Sequence, residues 1–543
     1  MQPVLNVEDV RQVEQALTQE GVSLSELMRR AGAAVVQEVQ QMEDVRSVVV
    51  FVGFGNNGGD GWVAAERLFT RGYQVSVVTP VAPSQIKSDL AHVVAVSAQR
   101  SNVPTLVAPS REKLDELLLT TDVVIDAMLG TGFHGEPRAP FDIWIECVNA
   151  SGARVIAADV PSGLSAQTGH AHGATIVADA TVTMISLKPG LLADKGRDVC
   201  GTIVVAPLAE QTEHLVVEAD PVAWRVEVED YLDVMTPPTV NVDKFERGSV
   251  LVVGGSTRFI GAPILAARAA ARAGAGYVTL VVPEPVVPIA QAHLAEIPVV
   301  GMPYDPSRGC FAADAREKIA ELANQSSAVV AGPGMLVNAS TMAVVAGLLQ
   351  CETPLVLDAD ALNCLARLTS NRLDSFPELI RRSSPLVLTP HRRELGRLVG
   401  MADTPPDSLS AVLDAARRIV WAEGGSEVCV VAKGNATACV GVDIALLPKP
   451  GPAALATAGS GDVLSGVMGA LLAKASQSQT LEDENLPLLC SLACEMHSYA
   501  ASLAMESYGS HGVMAGDVAD CLGLAADALE EQATLLDNAI LED

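Results

Sequence analysis

Two aspartates in the first half of the chain follow apolar runs, where the end of a strand would present them to a ligand. They are Asp126 and Asp159, and a third apolar run leads into the loop Gly53-Phe54-Gly55-Asn56-Asn57-Gly58-Gly59-Asp60-Gly61. In an open parallel sheet the carboxyl ends of the strands line one crevice. Amide and carboxylate oxygens suit a hard cation, and a remaining carboxylate can act as acid or base. On these residues alone, a helix-capping aspartate and a simple strand-to-helix turn stay open as alternatives.

A second constellation, in the other half of the chain, has the residue types that phosphate transfer requires. Gly459-Ser460-Gly461 precedes a helical pattern, so its backbone N–H groups predict an anion hole at a helix start. Asp462 follows as a candidate base, and Lys433 ends an apolar run as a candidate nucleotide contact. The alternatives are a chance glycine turn and a solvated lysine. His391, after a Thr-Pro turn, is a further candidate site residue, and a neutral histidine that caps a helix is the alternative interpretation.

The elements that must position these residues alternate between short apolar runs and helical patterns. This alternation predicts an α/β fold with parallel sheets, and the chain contains two such cycles of strands and helices. The first cycle has runs at 48–52, 75–78, 123–125, 155–158 and 180–184, and the second has runs at 250–253, 277–282, 327–330, 355–357, 386–388 and 428–431. The weakly patterned stretch between the cycles contains Pro237-Pro238. We therefore expect a domain over 1–215, a linker over 216–240 and a second domain over 241–530.

Composition excludes several classes of protein. A chain of 543 residues exceeds what one hydrophobic core supports, so more than one domain is expected. The net charge of −29 argues against a nucleic-acid binder, and 49% hydrophobic residues exclude a disordered chain. The N-terminus lacks a signal-peptide pattern, no long uncharged apolar stretch predicts a membrane span, and the ten cysteines form no CxxC pair. We expect a soluble cytoplasmic protein with reduced cysteines, without nucleic-acid or membrane partners.

The first half resembles the YjeF N-terminal family of NAD(P)H-hydrate epimerases over about residues 1–215. The resemblance is carried by the glycine loop, by Leu27 to Gly32, by Asp126 to Gly132, by Asp159-Val160-Pro161-Ser162-Gly163 and by Ser186 to Gly190. It implies a Rossmann-like three-layer domain with Asp159 as the catalytic acid/base. It implies a K⁺ site at Asn57, Asp126 and Ser162. It implies hydrate binding by Asp159 and by Asn56, Asn57, Gly58, Gly59, Asp60, Gly130, Thr131, Gly132, Phe133, His134, Gly135 and Glu136.

The second half resembles the ribokinase-like YjeF C-terminal family of NAD(P)H-hydrate dehydratases over about residues 240–525. The motifs are Gly254 to Pro263, Ala331-Gly332-Pro333-Gly334, Leu357 to Asn363, Leu388 to Glu394, Lys433 to Thr437 and Ala456 to Gly466. The resemblance implies a ribokinase-like α/β domain. It implies hydrate binding at Ala262, Gly334, His391 and Asp462, and nucleotide binding at Lys433, Gly434, Asn435, Ala436, Thr437 and Gly461. Asp462 would be catalytic.

Two segments depart from the pattern of the second family. The usual His-Lys-Gly opening reads Asp243-Lys244-Phe245-Glu246-Arg247-Gly248, and the usual Gly-Asn-Pro before the anion hole reads Pro450-Gly451-Pro452-Ala453-Ala454. The undivided two-domain chain is the bacterial arrangement, which favours ADP over ATP as the nucleotide, accompanied by Mg²⁺. We also expect a homo-oligomer.

The chemistry that the resemblance implies acts on C6 of the hydrated nicotinamide ring. C6 carries a hydroxyl and the ring nitrogen, so the first domain would equilibrate the R and S hydrates, through loss and return of water or through ring opening. The second would phosphorylate the C6 hydroxyl of the S hydrate and release phosphate to restore NAD(P)H. The alternative function is a vitamin or sugar kinase with a non-catalytic N-terminal scaffold domain.

Overall fold

The computed structural model describes residues 1–232, 234–235, 243–244, 246–370, 382–401, 403–423, 427–478 and 485–542. Residues 236–240 of the predicted linker, with Pro237 and Pro238, and Phe245 in the altered opening lie outside the described residues. The chain divides into two compact units. The N-terminal unit comprises Gln2–Val222 with Ser408–Ser410, and the C-terminal unit comprises Met1, Ala223–Asp407 and Ala411–Asp543.

The N-terminal unit is built on a parallel sheet whose strand order is β4-β3-β2-β5-β6-β7-β8. The strands are β1 Gln2–Val4, β2 Ser47–Val52, β3 Gln74–Thr79, β4 Thr105–Val107, β5 Val123–Ala127, β6 Arg154–Ala158, β7 Ala180–Met184 and β8 Thr202–Ala206. The helices are α1 Val7–Gln19, α2 Leu24–Gln41, α3 Asn56–Thr70, α4 Asp89–Arg100, α5 Arg111–Leu118, α6 Phe141–Ala150, α7 Pro189–Leu192, α8 Gly196–Val199 and α9 Thr212–Glu218.

Alternate side chains of β2 pack into different cores, which shows that both faces of this sheet are covered. Val48, Val50 and Val52 belong to one hydrophobic cluster, whereas Val49 and Phe51 belong to another. A strand that is buried on both faces needs an unbroken apolar run, and this is why the run was visible in the sequence. The strand order reverses between β2 and β5, so the loops after these two strands border the crevice where ligands bind in such sheets.

The C-terminal unit repeats this plan on a mixed sheet with the order β9-β20-β19-β18-β17-β16-β15-β10-β11-β12. The strands are β9 Ala223–Arg225, β10 Ser249–Val253, β11 Tyr277–Pro283, β12 Val299–Met302, β13 Tyr304–Asp305, β14 Cys310–Phe311, β15 Ala328–Ala331, β16 Leu355–Leu357, β17 Leu386–Leu388, β18 Val428–Ala432, β19 Ala438–Val440 and β20 Ala445–Leu447. The helices are α10 Gly261–Arg272, α11 Val287–His293, α12 Ala315–Asn324, α13 Ala339–Leu348, α14 Asp360–Leu368, α15 Arg392–Leu398, α16 Leu409–Glu423, α17 Ser460–Ser478, α18 Leu486–Tyr508 and α19 Ala515–Glu542.

Strands β10, β11, β12 and β15 to β18 run parallel, and the order reverses at β10 and β15. The α/β class predicted for both halves, with a three-layer N-terminal unit, is confirmed. The sequence pattern did not predict β1, β4, β8, β9, β12, β13, β14, β19 or β20. All of these except β8 have four residues or fewer, and β8 is a partly exposed strand at a sheet edge. Across the described ranges, no helix is both long and apolar enough to cross a membrane.

The segment predicted as a linker contains short regular elements among its described residues. It contains the end of α9, strand β9 and a 3₁₀-helix over Val228–Tyr231. Its weak sequence pattern reflects the shortness of these elements. The boundaries at 215 and 240 therefore stay a prediction.

Candidate active sites at two strand-end crevices

A cavity of about 560 Å³ opens at the switch point of the N-terminal sheet. Its wall includes Asn57 from the start of α3, Gly130 from the loop after β5, Asp159 from the end of β6 and Lys188 from the segment after β7. Helices α1 and α2 close the other side with residues such as Glu14 and Met28. The predicted convergence of strand ends on one crevice is therefore present in the structure.

Asp126 and Ser162 form a buried pair beside this crevice. Both side chains are fully buried. The Ser162 hydroxyl donates to Asp126 Oδ1 at 2.6 Å, and the Ser162 N–H donates to Oδ2 at 2.7 Å. Burial raises the pKa of Asp126 to about 6, against the opposing effect of these hydrogen bonds. A buried carboxylate whose ionised form remains this costly is suited to a cation partner.

Asn57 supplies a second observation that points to a cation. Its amide oxygen and nitrogen are both buried and have no hydrogen-bond partner among the described residues. A buried amide of this kind is costly unless a ligand satisfies it. Asn57 lies against Gly130, since a Cβ at that glycine would come within 3.1 Å of Asn57 Cβ, and the N–H of the preceding residue, Leu129, donates to Ser162 Oγ at 2.9 Å. The predicted ligands therefore belong to one connected set of loops, and their donors fit a hard cation.

Asp159 ends β6 in a strained backbone conformation. Its φ is +67°, in the left-handed region that side chains other than glycine seldom adopt. Such strain is typical of functional sites. Its Oδ1 accepts a hydrogen bond from the Lys188 ammonium at 2.7 Å.

Two further carboxyl groups line the same cavity. Burial, the charge of Asp159 and the charge of Glu14 raise the pKa of Asp60 well above its usual range. Burial and the charge of Asp159 also raise the pKa of Glu14, against the opposing charges of Lys188 and Arg11. These carboxyls hold a proton to higher pH than ordinary side chains do, so they can donate hydrogen bonds to a ligand.

The remaining predicted residues of the N-terminal site divide into two groups. Asn56 and the residues from Gly130 to Phe133 line the cavity. The cavity wall in the described chain does not include Gly58, Gly59, His134, Gly135 or Glu136. Gly58 instead allows the loop to close, because a Cβ there would lie 2.3 Å from the Gly53 carbonyl oxygen.

In the C-terminal unit, a glycine in the left-handed conformation directly precedes helix α17. Gly459 has φ +90°, a conformation that requires glycine, and helix α17 starts at Ser460. Asp462 is in its first turn. The predicted placement of Gly459 to Gly461 at a helix start is therefore present, and free N–H groups at such an end bind anions.

Lys433 brings a cation to this helix start. A Cβ at Gly461 would lie 3.2 Å from Lys433 Nζ, which donates to Asp358 Oδ1 at 2.6 Å. Asp358 is buried and also accepts from the Thr389 hydroxyl at 2.7 Å. Burial lowers the pKa of Lys433, but Asp358, Glu394 and Asp462 outweigh it, so that the net shift is upward.

Asp462 has the electrostatics of a general base. Burial raises its pKa to about 7, Asp358 and Asp360 add to the rise, and Lys433 opposes it. A base whose pKa lies near the working pH is efficient in proton transfer.

His391 caps its own helix. Its Nδ1 accepts from the N–H groups of Arg393 and Glu394 at 3.1 and 3.3 Å, and its own N–H donates to Glu394 Oε2. Burial and then Lys433 lower its pKa. His391 therefore has the helix-capping role that the sequence left open. Its side chain is 51% exposed, and its Nε2 lies 3.4 Å from Glu394 Oε1.

The other predicted C-terminal residues lie in loops at the same edge of the sheet. Gly334 has φ +69°, and a Cβ there would lie 3.5 Å from the Ala262 Cβ at the start of α10. The loop from Gly434 to Thr437 folds as a turn in which Asn435 Oδ1 accepts from the Ala436 N–H at 2.9 Å and from Arg392 at 3.3 Å.

Comparison with known proteins relates both halves of the chain to one family of enzymes. The profile of the family described as YjeF-related protein N-terminus matches residues 24–190, and that of NAD(P)H-hydrate dehydratase matches residues 250–523. The bifunctional NAD(P)H-hydrate repair enzyme Nnr of Hyperthermus butylicus is 36% identical over 84% of this chain and 81% of its own length. The enzyme of that name from Coxiella burnetii is 32% identical over 94% and 96%. This chain belongs to the family of bifunctional NAD(P)H-hydrate repair enzymes.

Part of this chain is similar to a solved structure of an ADP/ATP-dependent NAD(P)H-hydrate dehydratase from Bacillus subtilis, which was crystallised with ATP and Mg²⁺. That structure is 26% identical, covers 55% of this chain and 97% of its own, and has a TM-score of 0.44. The relatives are bifunctional repair enzymes that match both halves of the chain, so the alternative of a vitamin or sugar kinase with a non-catalytic N-terminal scaffold domain is not favoured.

The sequence did not predict several residues that lie in or beside the two candidate sites. Glu14 and Lys188 line the N-terminal cavity, and Asp358 and Glu394 surround Lys433. His497, which is fully buried, lies 3.3 Å from the Ser460 hydroxyl through its Nε2. For Lys188, a lysine among buried residues was the available signal, whereas Glu14 lies among other polar residues of α1 and gave none.

The altered segment before the anion hole forms a 3₁₀-helix at Ala453–Leu455. Gly451 lies close to Leu455, since a Cβ at Gly451 would come 2.5 Å from that side chain. The segment that differs from the usual Gly-Asn-Pro of the family therefore forms an ordered turn beside helix α18.

Proposed function

We propose that this protein repairs hydrated NADH and NADPH through two activities. The N-terminal unit equilibrates the R and S epimers, and the C-terminal unit dehydrates the S epimer to NAD(P)H at the expense of ADP, with ATP as the alternative donor. The observation that carries the proposal is a carboxylate-lined cavity in the N-terminal unit together with Lys433, Asp358 and Asp462 at a helix start in the C-terminal unit, in a chain related to repair enzymes over most of its length. We infer epimerase and dehydratase domains at 1–215 and 241–530, a homo-oligomer and a cytoplasmic location.

The epimerase proposal assigns the proton transfer to Asp159. The ring nitrogen can expel the C6 hydroxyl once an acid protonates it, and water can return to either face when a base removes its proton. Ring opening at C6 requires the same proton transfers. Asp159 lines the cavity and can serve as this acid/base, while Asp60 and the residues from Gly130 to Phe133 bind the hydrate.

We propose that K⁺ binds Asn57, Asp126 and Ser162. The unpartnered Asn57 amide and the costly buried carboxylate of Asp126 support this assignment. A bound cation would supply positive charge beside the crevice. These three residues orient the loops after β2, β5 and β6, so they fix the cavity wall as well.

Asp126→Ala should abolish the response to K⁺. We expect the wild-type chain to melt at higher temperature in KCl than in tetramethylammonium chloride, since a ligand specific for the native state stabilises it. The variant should show no such difference and slower epimerisation. Asp115→Ala, at an exposed position on α5, should behave as wild type. A wild-type protein whose melting and epimerisation ignore monovalent cations would contradict the site.

The dehydratase proposal assigns phosphate transfer to the helix start at α17. The N–H groups of Gly459 and Gly461 at this helix start and the ammonium of Lys433 would neutralise the transferring phosphate, whereas the Ser460 N–H donates to the Thr457 carbonyl. Asp462 would accept the C6 hydroxyl proton as oxygen attacks the terminal phosphorus of ADP, with AMP as the leaving group. The ring nitrogen then expels phosphate from C6, and loss of a C5 proton restores the dihydropyridine.

The remaining predicted residues would hold the two ligands. We propose that Ala262, Gly334 and His391 contact the hydrate and that Lys433 to Thr437 and Gly461 contact the nucleotide. Mg²⁺ would accompany the nucleotide, because it retains phosphate and water ligands and needs few carboxylates. The carboxylates that surround Lys433 fit that requirement.

The direct test supplies the purified chain with a mixture of R and S NADH-hydrate. With ADP and Mg²⁺, absorbance at 340 nm should recover for both epimers, and AMP and phosphate should appear in equal amounts. Without ADP, the epimers should interconvert and no NADH should form. Recovery of NADH without nucleotide consumption would contradict the dehydratase, and consumption of the S epimer alone would contradict the epimerase.

The epimerase should remain active without the second unit. We expect residues 1–215, expressed alone, to interconvert the R and S hydrates, because every residue that lines the N-terminal cavity is within this range. Chromatographic separation of the epimers over time measures the rate, and circular dichroism establishes that the fragment is folded. A folded fragment without epimerase activity would show that the site depends on the rest of the chain.

A further inference from the structure

Lys188 is a lysine with no exposed surface in the wall of the N-terminal cavity. Its ammonium has three hydrogen-bond donors, and all three are used. Nζ donates to Asp159 Oδ1 at 2.7 Å, to Thr183 Oγ1 at 2.7 Å and to the Met184 carbonyl at 2.8 Å. A buried charge is tolerated when it is paired and hydrogen-bonded, and Asp159 provides the opposite charge.

The two oxygens of Asp159 are therefore not equivalent. Oδ1 is bound by Lys188 and also lies 3.4 Å from the Met184 N–H, whereas none of the described residues bonds Oδ2. The side chain is 14% exposed and lines the cavity. The left-handed backbone at Asp159 and the short hydrogen bond from its N–H to the Val182 carbonyl, 2.7 Å, fix the Cα from which the carboxylate extends.

We propose that Lys188 is a positioning residue of the epimerase: it binds Oδ1 of Asp159 and holds the carboxylate so that Oδ2 faces the hydrate and exchanges protons with it. This inference rests on the proposed epimerase function. As base, Oδ2 takes a proton from the water that adds to C6; as acid, it returns that proton to the departing hydroxyl. The other charged groups facing Asp159 are Glu14 and Arg11 on α1 and Asp60 on α3, and Lys188 alone among these four bonds it directly.

Lys188→Met, which keeps the length of the side chain and removes the charge, tests the proposal. We expect kcat for epimerisation to fall roughly 10–100-fold, the size typical for loss of a partner that orients a reactive group, with KM little changed. Lys188→Arg, which keeps a hydrogen-bonding cation in the side chain, should recover part of the lost kcat. Lys195→Met, at an exposed lysine of the same unit, is the matched control and should match wild type.

Thr183→Val tests the neighbouring hydroxyl while the cation stays. It removes one acceptor of the Lys188 ammonium and a 3.5 Å hydrogen bond from Thr183 Oγ1 to Asp159 Oδ1, and it leaves the ammonium in place. We expect a smaller loss of kcat than in Lys188→Met. Unchanged dehydration of the S hydrate by each variant should show that the C-terminal unit is intact.

A measurement that does not depend on activity distinguishes this inference from the proposed function. In a chain labelled with ¹⁵N-lysine, the Nζ resonance of Lys188, assigned with Lys188→Met, should show slow exchange of its hydrogen-bonded protons, and exchange should be faster in Asp159→Asn. An Nζ group that exchanges as fast as that of Lys195, or a wild-type kcat in Lys188→Met, would overturn the role of Lys188. A wild-type chain that shows the slow exchange but does not epimerise the hydrate would overturn the epimerase alone.

Discussion

Asp462→Asn is expected to abolish nucleotide-dependent dehydration, with a loss of roughly 10²–10⁴-fold in rate. The substitution keeps the size of the side chain and its hydrogen bonding but removes the base that would accept the C6 hydroxyl proton. The helix start and Lys433 remain, so the affinity for ADP should stay close to that of wild type. The measurement is NADH recovery at 340 nm from the S hydrate, together with calorimetric titration of ADP.

The pH dependence of dehydration should follow the same carboxylate. Burial and Asp358 raise the pKa of Asp462 to about 7, so its basic form is lost as the pH falls through that value. The rate should then decrease about tenfold for each pH unit below about 7, because the protonated carboxyl cannot accept a proton. A flat profile between pH 5 and 8 would remove Asp462 from the mechanism.

Controls for this prediction come from the same chain. Asp443→Asn, at an exposed position in the turn between β19 and β20, should leave dehydration unchanged. Epimerisation by Asp462→Asn should also be unchanged, since sites without shared partners act independently. A joint loss of both activities with a normal melting curve would mean that the two units are coupled.

Asp159→Asn is expected to lower epimerisation by roughly 10²–10⁴-fold, as loss of a general acid/base does. The amide can occupy the same space, but it cannot exchange a proton with the hydrate. It also leaves the buried Lys188 ammonium without its ion-pair partner, so we expect some loss of stability as well. Chromatographic separation of the R and S hydrates measures the rate, and thermal unfolding measures the second effect.

The expected loss of stability in Asp159→Asn requires its own control, because a misfolded N-terminal unit would lose epimerase activity without any change in proton transfer. Dehydration of the pure S hydrate by Asp159→Asn should remain normal, and Asp115→Asn on α5 should affect neither activity. If a folded Asp159→Asn epimerises at the wild-type rate, proton transfer must occur elsewhere, and Glu14 or Asp60 would be the residues to replace next.

Motifs with close spacing could be located from the sequence before the fold was known. Unbroken apolar runs marked the strands that are buried on both faces, and the residues directly after them, Asp126, Asp159 and Lys433, lie at strand ends as expected. The glycine loop before α3 and Gly459 before α17 were visible for the same reason: a strand-to-helix turn restricts residue type over a few adjacent positions.

The sequence thus determined the α/β class and the strand ends and helix starts to which we assign the chemistry. The tertiary structure decided which groups surround those positions. Lys188 contacts Asp159 across 29 residues, Lys433 contacts Asp358 across 75, and His497 contacts Ser460 across 37. Local periodicity reports only which side of a helix or strand is buried. The order of strands and the packing of helices bring such distant side chains together, and this is why the charge environment that tunes each carboxylate could be derived only from the folded chain.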